Sequence, residues 1–225
     1  MNEPLAPAPE PTYRLVPSRF PPIGLFDTVA TASDMEAVLD LVGWTNDRLV
    51  AERVSLLRRS EWVFGRPNSS VVMAAFLLVA PGGPRFNSGD LGAWYASAET
   101  MTAIAEVAHH LRREAVATGL STMSRTYRSY LADLAGTYVD LRELKTEMPE
   151  IFATNSYAAS QRFGEAVRDT DNAGILYASV RKADGLNIVG YRPSFISNVR
   201  QGEHFEINVS AADRRINVQT LSATC

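Results

Sequence analysis

Four residues of this chain combine side-chain type and position in a way that suits chemistry. Arg85 sits in Gly82-Gly83-Pro84-Arg85-Phe86-Asn87-Ser88-Gly89, Tyr95 follows ten residues later, and Glu106 comes twenty-one residues after the arginine. Far downstream, Ser179 ends the run from Gly174. Glycines let a backbone approach a ligand closely, and a guanidinium on such a loop suits bidentate contact with a phosphate or carboxylate. An aromatic face at Tyr95 can stack on a flat heterocycle. A carboxylate at Glu106 can stabilise positive charge on a sugar ring as a glycosidic bond breaks, or orient a nucleophile. A hydroxyl at a strand end can donate to a phosphate or an amide. Taken singly, each has an ordinary reading: an exposed loop arginine, a core tyrosine, a solvated helix glutamate and a strand serine.

Other chemistries lack their residues. His109 and His110 are adjacent rather than spaced as His-x-x-x-His with a neighbouring glutamate, so no metal site is expected. Ser179 is not in a G-x-S-x-G elbow. The Gly-rich segment at 82–89 does not match a phosphate-binding G-x-x-x-x-G-K-[ST] loop. Cys225, the single cysteine, is at the C-terminal end, which excludes an internal disulfide framework or a cysteine zinc cluster and fits a reducing cytosol.

The 225 residues, 46% hydrophobic and 21% charged, are enough for one large domain with a sizeable core. A net charge of −3 gives no basic face for nucleic acid or an anionic membrane. The longest apolar run, Val71 to Ala80, spans 10 residues. A bilayer needs roughly 20, so this run is expected as a buried strand or core helix. No basic and apolar export segment opens the chain, and a cytoplasmic location is expected.

The elements that must position these groups can be read from pattern. Residues 1–12, with Pro4, Pro7, Pro9 and Pro11, are expected as a disordered leader, and order is expected from Tyr13. The capping-box pattern Ser33-Asp34-Met35-Glu36 predicts a helix through about Val42, stopped by Gly43. Asn46 to Arg59 is expected to be helical or irregular. Residues 100–116 form the clearest helix. Its apolar stripe is Met101, Ile104, Ala108, Leu111 and Ala115, which leaves Thr102, Glu106, His109, His110 and Arg113 on the other side. Arg125 to Ala135 is predicted as a further helix, Tyr138 to Leu141 as a strand, Tyr157 to Val167 as a helix and Ile175 to Val180 as a strand. Phe205, Ile207 and Val209, then Ile216, Val218 and Thr220, alternate with polar residues and predict a C-terminal hairpin. The mixture indicates an α+β fold.

In joint order, these elements resemble the RES domain, a family of bacterial toxins that consume NAD+. The matching stretches are Pro84-Arg85-Phe86-Asn87, then Tyr95, then Ala103-Ile104-Ala105-Glu106-Val107, then Ser179, with Tyr13-Arg14 resembling the family's opening Tyr-Arg. Pro84 and Phe86 depart from the family's usual Gly and Trp. The resemblance covers about residues 13–197. It places 13–225 in a single RES domain, with an enlarged insertion at about 25–80 within the 70 residues that separate Arg14 from Arg85.

The resemblance implies an ADP-ribosyltransferase-like fold with a bent, split β core flanked by helices around an NAD+ cleft. Arg14 would help form the pocket. Arg85 and Ser179 would hold the phosphate or nicotinamide side, Tyr95 would pack on the nicotinamide or its ribose, and Glu106 would stabilise the oxocarbenium-like transition state. NAD+ is then a substrate, and no metal is required. The acceptor of ADP-ribose stays open between a cellular protein, water and phosphate, with the enlarged insertion favouring a protein. The implied partner is a cognate antitoxin protein covering the cleft in a type II toxin–antitoxin system, and any DNA contact would belong to that antitoxin. The competing class is a non-catalytic interaction domain.

Overall fold

The computed structural model describes residues 3–18, 24–45 and 48–221. Among them nine strands form one sheet: β1 Leu5–Pro7, β2 Thr12–Pro17, β3 Trp94–Ser97, β4 Thr122–Leu134, β5 Thr137–Asp140, β6 Gly174–Ala178, β7 Leu186–Gly190, β8 Ile196–Ser210 and β9 Ile216–Leu221. Their spatial order is β1-β5-β6-β7-β3-β2-β4-β8-β9. All pairings are antiparallel except β5 with β6. Five α-helices accompany the sheet among the described residues: α1 Ala32–Thr45, α2 Arg48–Ser55, α3 Ser69–Leu77, α4 Thr100–Ala117 and α5 Ala158–Arg168. The α+β expectation is met.

The sheet is almost divided at its centre. β2 pairs with β4 over six residues, whereas β2 meets β3 at the single pair Tyr13↔Ser97. α4 packs across this joint, with Ala103, Ile104, Ala108 and Leu111 in a core shared with Leu15, Tyr127, Phe205 and Ile207. The other half of the sheet is filled on both faces, as the period of two in a strand requires. Trp94, Ala96, Leu176 and Ile188 face a core built with α3, whereas Ala93, Ile175, Tyr177 and Val189 face one built with Ile151, Phe152 and Val167.

Four expectations are corrected. Residues 3–12 are not a disordered leader. Leu5, Ala6 and Pro7 pair with Val139, Tyr138 and Thr137, and the Pro4 carbonyl accepts from Asp140 N–H at 2.8 Å. An edge strand tolerates proline because one row of its donors needs no partner. The span from Arg125 to Ala135 is strand, not helix. Tyr127, Tyr130, Leu131 and Leu134 do fall at helical spacing, but the Thr, Tyr and Ser content favours strand and both edges of β4 are paired, to β2 and β8. Gly43 does not stop α1, which continues to Thr45. Its box is set two residues earlier than predicted: Thr31 and Asp34 exchange side-chain and backbone hydrogen bonds at 3.1 Å. In α4, Met101 is 57% exposed and Thr102 fully buried, the reverse of the predicted faces. Thr102 packs where the Gly185 turn leaves no room for a Cβ.

The remaining elements fall close to expectation. The Val71–Ala80 run is a core helix, α3, with Val72, Met73 and Phe76 buried. α2 lies within the span from Asn46 to Arg59, α5 follows Tyr157, and β8 and β9 form the C-terminal hairpin. Asn46 and Cys225 lie outside the described residues.

The arginine-bearing segment at 81–92 has no regular structure, so its backbone groups need partners from elsewhere. Buried Arg53 donates to the carbonyls of Leu77, Val79, Gly89 and Asp90. Arg168 donates to those of Leu91 and Gly92, Gln161 to those of Gly82 and Pro84, and the Tyr191 hydroxyl to that of Phe86. Glu165 accepts from Ser88 N–H at 2.7 Å. α5 reaches this loop through Gly164, where a Cβ would lie 1.9 Å from the Phe86 carbonyl oxygen and 2.6 Å from the Tyr191 hydroxyl. Gly164→Ala should therefore push α5 off the loop and lower unfolding free energy by about 1–3 kcal/mol, the usual cost of overpacking. Urea denaturation of the variant checks this.

Candidate active site

α4, the loop at 81–92 and the central strands enclose a cavity of about 190 Å³. A second hollow of about 370 Å³ shares Arg14, Pro84, Tyr95, His110 and Tyr157 with it, so the two adjoin across these side chains and together make up a groove. The floor follows from strand register. Tyr13 pairs with Ser97, Ser97 with Asn187, and Asn187 with Tyr177, which makes one row across β2, β3, β7 and β6. All four line the cavity.

Glu106, half-buried on α4, stands over this row. Its Oε1 accepts from the Ser179 hydroxyl and from the Asn187 amide, each at 2.7 Å. Oε2 has no hydrogen-bond partner among the described residues. Ser179 lies just beyond the end of β6 and is not part of the cavity wall. Its oxygen accepts the N–H groups of Arg181 and Lys182 at 3.0 and 3.1 Å, which directs its own proton to Glu106.

Arg85 is buried, not an exposed loop residue. Its guanidinium donates to the Ala153 and Ile151 carbonyls at 2.9 and 3.2 Å and stacks on Tyr157, 4.7 Å from the ring centroid. Arg14 crosses from β2 to β3 and donates to the Tyr95 carbonyl at 2.9 Å, with its guanidinium 4.9 Å from the centre of Trp94. Its Nε is buried without a partner. Burial pulls Arg14 down to about 10, which still leaves it charged at neutral pH.

The Tyr95 ring lines the cavity, but its hydroxyl faces the loop. It accepts from Phe86 N–H at 2.9 Å and donates to Asn87 Oδ1 at 2.8 Å. Burial raises its pKa well above the ordinary tyrosine value, so at neutral pH it is a neutral linker between strand and loop.

Thus Arg14, Arg85, Tyr95 and Glu106 all reach one cavity, and Ser179 reaches it through Glu106. Asn187, Ser97, Tyr157, Tyr177 and Arg181 were not found by sequence reasoning. Only a strand register, which a sequence does not print, joins the first two to Glu106. No group of three or more metal-binding side chains occurs among the described residues, and no helix among them is long and apolar enough to cross a membrane. Among the described lining residues Glu106 is the one carboxylate, facing Arg14, Arg85 and Arg181.

His109 also lines the cavity. Burial, then repulsion from Arg181, His110, Arg113 and Arg112, lowers it from 6.5 to about 4. Between those values the unfolded chain binds a proton that the folded chain refuses, so this residue's contribution to stability is complete above pH 6.5 and is lost as pH falls toward 4. His109→Gln should flatten that part of the profile, as read from urea midpoints at pH 7 and pH 4.5.

The RES domain family model matches residues 53–210. Tyr13 and Arg14 lie upstream of that segment, and it begins inside the span read from sequence as an enlarged insertion. The chain is also 23% identical over 193 residues to the uncharacterized protein y4oC of Sinorhizobium fredii, an alignment covering 86% of this chain and 80% of that protein. The family match spans more than half of the chain and contains Arg85, Tyr95, Glu106, Ser179 and Asn187, and the protein belongs to the RES domain family.

Proposed function

We propose that this chain is the toxin of a toxin–antitoxin pair that binds NAD+, cleaves its nicotinamide–ribose bond and transfers ADP-ribose. The carrying observation is the single carboxylate, held by one oxygen with no hydrogen-bond partner for the other among the described residues, in a cavity otherwise charged by three arginines. NAD+ presents the complement of that pattern: an anionic pyrophosphate and a ribose carbon that becomes cationic. RES domains are generally linked to toxin–antitoxin systems and NAD, and the fold is read as ADP-ribosyltransferase-like on the same ground.

In this reading Arg85 and Arg14 attract the pyrophosphate, and Tyr157 and Tyr177 offer faces to the flat rings. The C1′–N bond breaks with its electron pair going to the pyridinium nitrogen, so nicotinamide leaves neutral and needs no general acid. Glu106 Oε2 stabilises the ring cation, an interaction stronger in the transition state than in the ground state. The acceptor's nucleophile then bonds to C1′ and releases its proton to solvent.

The favoured acceptor is a cellular protein. Leu78, 68% exposed at the end of α3, stands at the groove and offers an apolar contact to a macromolecule. A second reading, turnover with phosphate or water, has its own support, because the excess of arginines suits an anionic acceptor. An antitoxin covering the groove is the proposed partner, and the cytoplasm the proposed location.

NAD+ incubated with purified protein, with phosphate or with cell lysate, separates these outcomes by mass spectrometry. Protein-bound ADP-ribose is expected with lysate; ADP-ribose or its 1″-phosphate would mark the second reading. Glu106→Gln should lower nicotinamide release by about a hundred- to a thousandfold, the usual cost of losing one transition-state electrostatic contact, with unchanged melting behaviour. Absence of nicotinamide in every condition would return the chain to the class of interaction domains.

A further inference from the structure

We infer that Asn187, oriented by Ser97, is a positioning residue that aims the Glu106 carboxylate into the groove. The inference rests on the NAD+ reading above for its kinetic part and on geometry for the rest.

Asn187 is 1% exposed and sits on β7 directly opposite Ser97 of β3. Its Nδ2 donates to Glu106 Oε1, and its Oδ1 accepts from the Ser97 hydroxyl at 2.7 Å. The direction of each bond is enforced. A carboxylate has only acceptors to offer, so the amide must turn its NH2 toward Glu106. That leaves Oδ1 facing Ser97, whose hydroxyl must then donate. On the other side, two backbone N–H groups occupy the Ser179 oxygen and send its proton to the same Oε1. Oε1 is therefore gripped from β7 and from the end of β6, while Oε2 has no hydrogen-bond partner among the described residues.

Ser97 is also the residue through which β3 meets β2. The carboxylate is thus referenced to the joint at which the two halves of the sheet meet, and not only to its own helix. Ser179 alone would leave the carboxylate free to rotate about that single bond. Asn187 supplies the second point that defines a plane, and small angular errors at a reacting centre are expensive.

The test uses full-length wild type, Asn187→Ala, Ser97→Ala, Glu106→Gln and the Glu106→Gln/Asn187→Ala pair, with nicotinamide release measured against NAD+ concentration. Asn187→Ala should lower kcat by about a hundredfold with KM within threefold, Ser97→Ala should lower it less, and Asn187→Ala should cost nothing further once Glu106 is Gln. Wild-type kcat in Asn187→Ala, a loss confined to KM, or an equal loss in the Glu106→Gln background would overturn the inference. The second readout needs no turnover: the side-chain amide resonance of Asn187, assigned by NMR, should be shifted downfield and protected from exchange in wild type and should move in Glu106→Gln. If wild type releases no nicotinamide while this resonance responds to Glu106→Gln, the NAD+ chemistry falls and the positioning of the carboxylate stands. A resonance unmoved by Glu106→Gln sinks the positioning itself, whatever the kinetics.

Discussion

The contact on which the site depends is the reach of Arg14 across the centre of the sheet. A full antiparallel ladder between β2 and β3 would close the floor of the groove with backbone. Instead the two strands share one pair, Tyr13↔Ser97, and separate beyond it. An unpaired strand edge in a protein interior leaves carbonyls without donors, a loss of about 1–3 kcal/mol for each group. The Arg14 guanidinium replaces a missing donor at the Tyr95 carbonyl. One side chain thereby permits the sheet to open and places a positive charge in the opening. The same burial that lowers its pKa to about 10 strengthens its attraction for any anion that enters.

The opposite wall is held by a different use of the same residue type. The loop at 81–92 has no regular partner, and Arg53 and Arg168 collect four of its carbonyls together with those of Leu77 and Val79 just before it. Arginine suits this role because its planar fork carries five donors and keeps its charge when buried. The Tyr95 hydroxyl and the Tyr191 hydroxyl add two further ties, at Phe86 N–H and at the Phe86 carbonyl. Arg85 is consequently carried on a rigid support, although its loop has no regular structure of its own. Rigid support on both walls is what an electrostatic mechanism requires, because donors and charges that are already aimed need no rearrangement as charge develops.

Between these walls, α4 delivers Glu106 to the row Tyr13, Ser97, Asn187 and Tyr177. The helix is held by its apolar face against β2, β4 and β8, one half of the sheet, while its carboxylate is gripped by groups of the other half. The functional group therefore joins the two halves where the ladder does not. This explains why Ser179, read from sequence as a hydroxyl for a phosphate or nicotinamide, is engaged with Glu106 in this structure, and why the Tyr95 hydroxyl is engaged with the loop.

Much of this was written in local pattern. The helical period around Glu106 put its carboxylate away from the core, because 100° per residue is a property of every helix. The spacing from Arg85 to Tyr95 to Glu106 carried the family resemblance, since loop, strand and helix follow one another directly in the chain. Local pattern failed where neighbours decide. Residues 125–134 satisfy a helical spacing, yet two flanking strands make them strand. Residues 3–12 look like a tail, yet a free edge at β5 recruits them. Asn187 and Ser97 carry no signal at all, because their meaning is a cross-strand pairing between positions 90 residues apart. Side-chain type and short-range spacing are encoded along the chain. Register, burial and the partner of each hydrogen bond arise only when distant segments pack, and in this protein they decide which groups meet Glu106 and which are spent holding the walls.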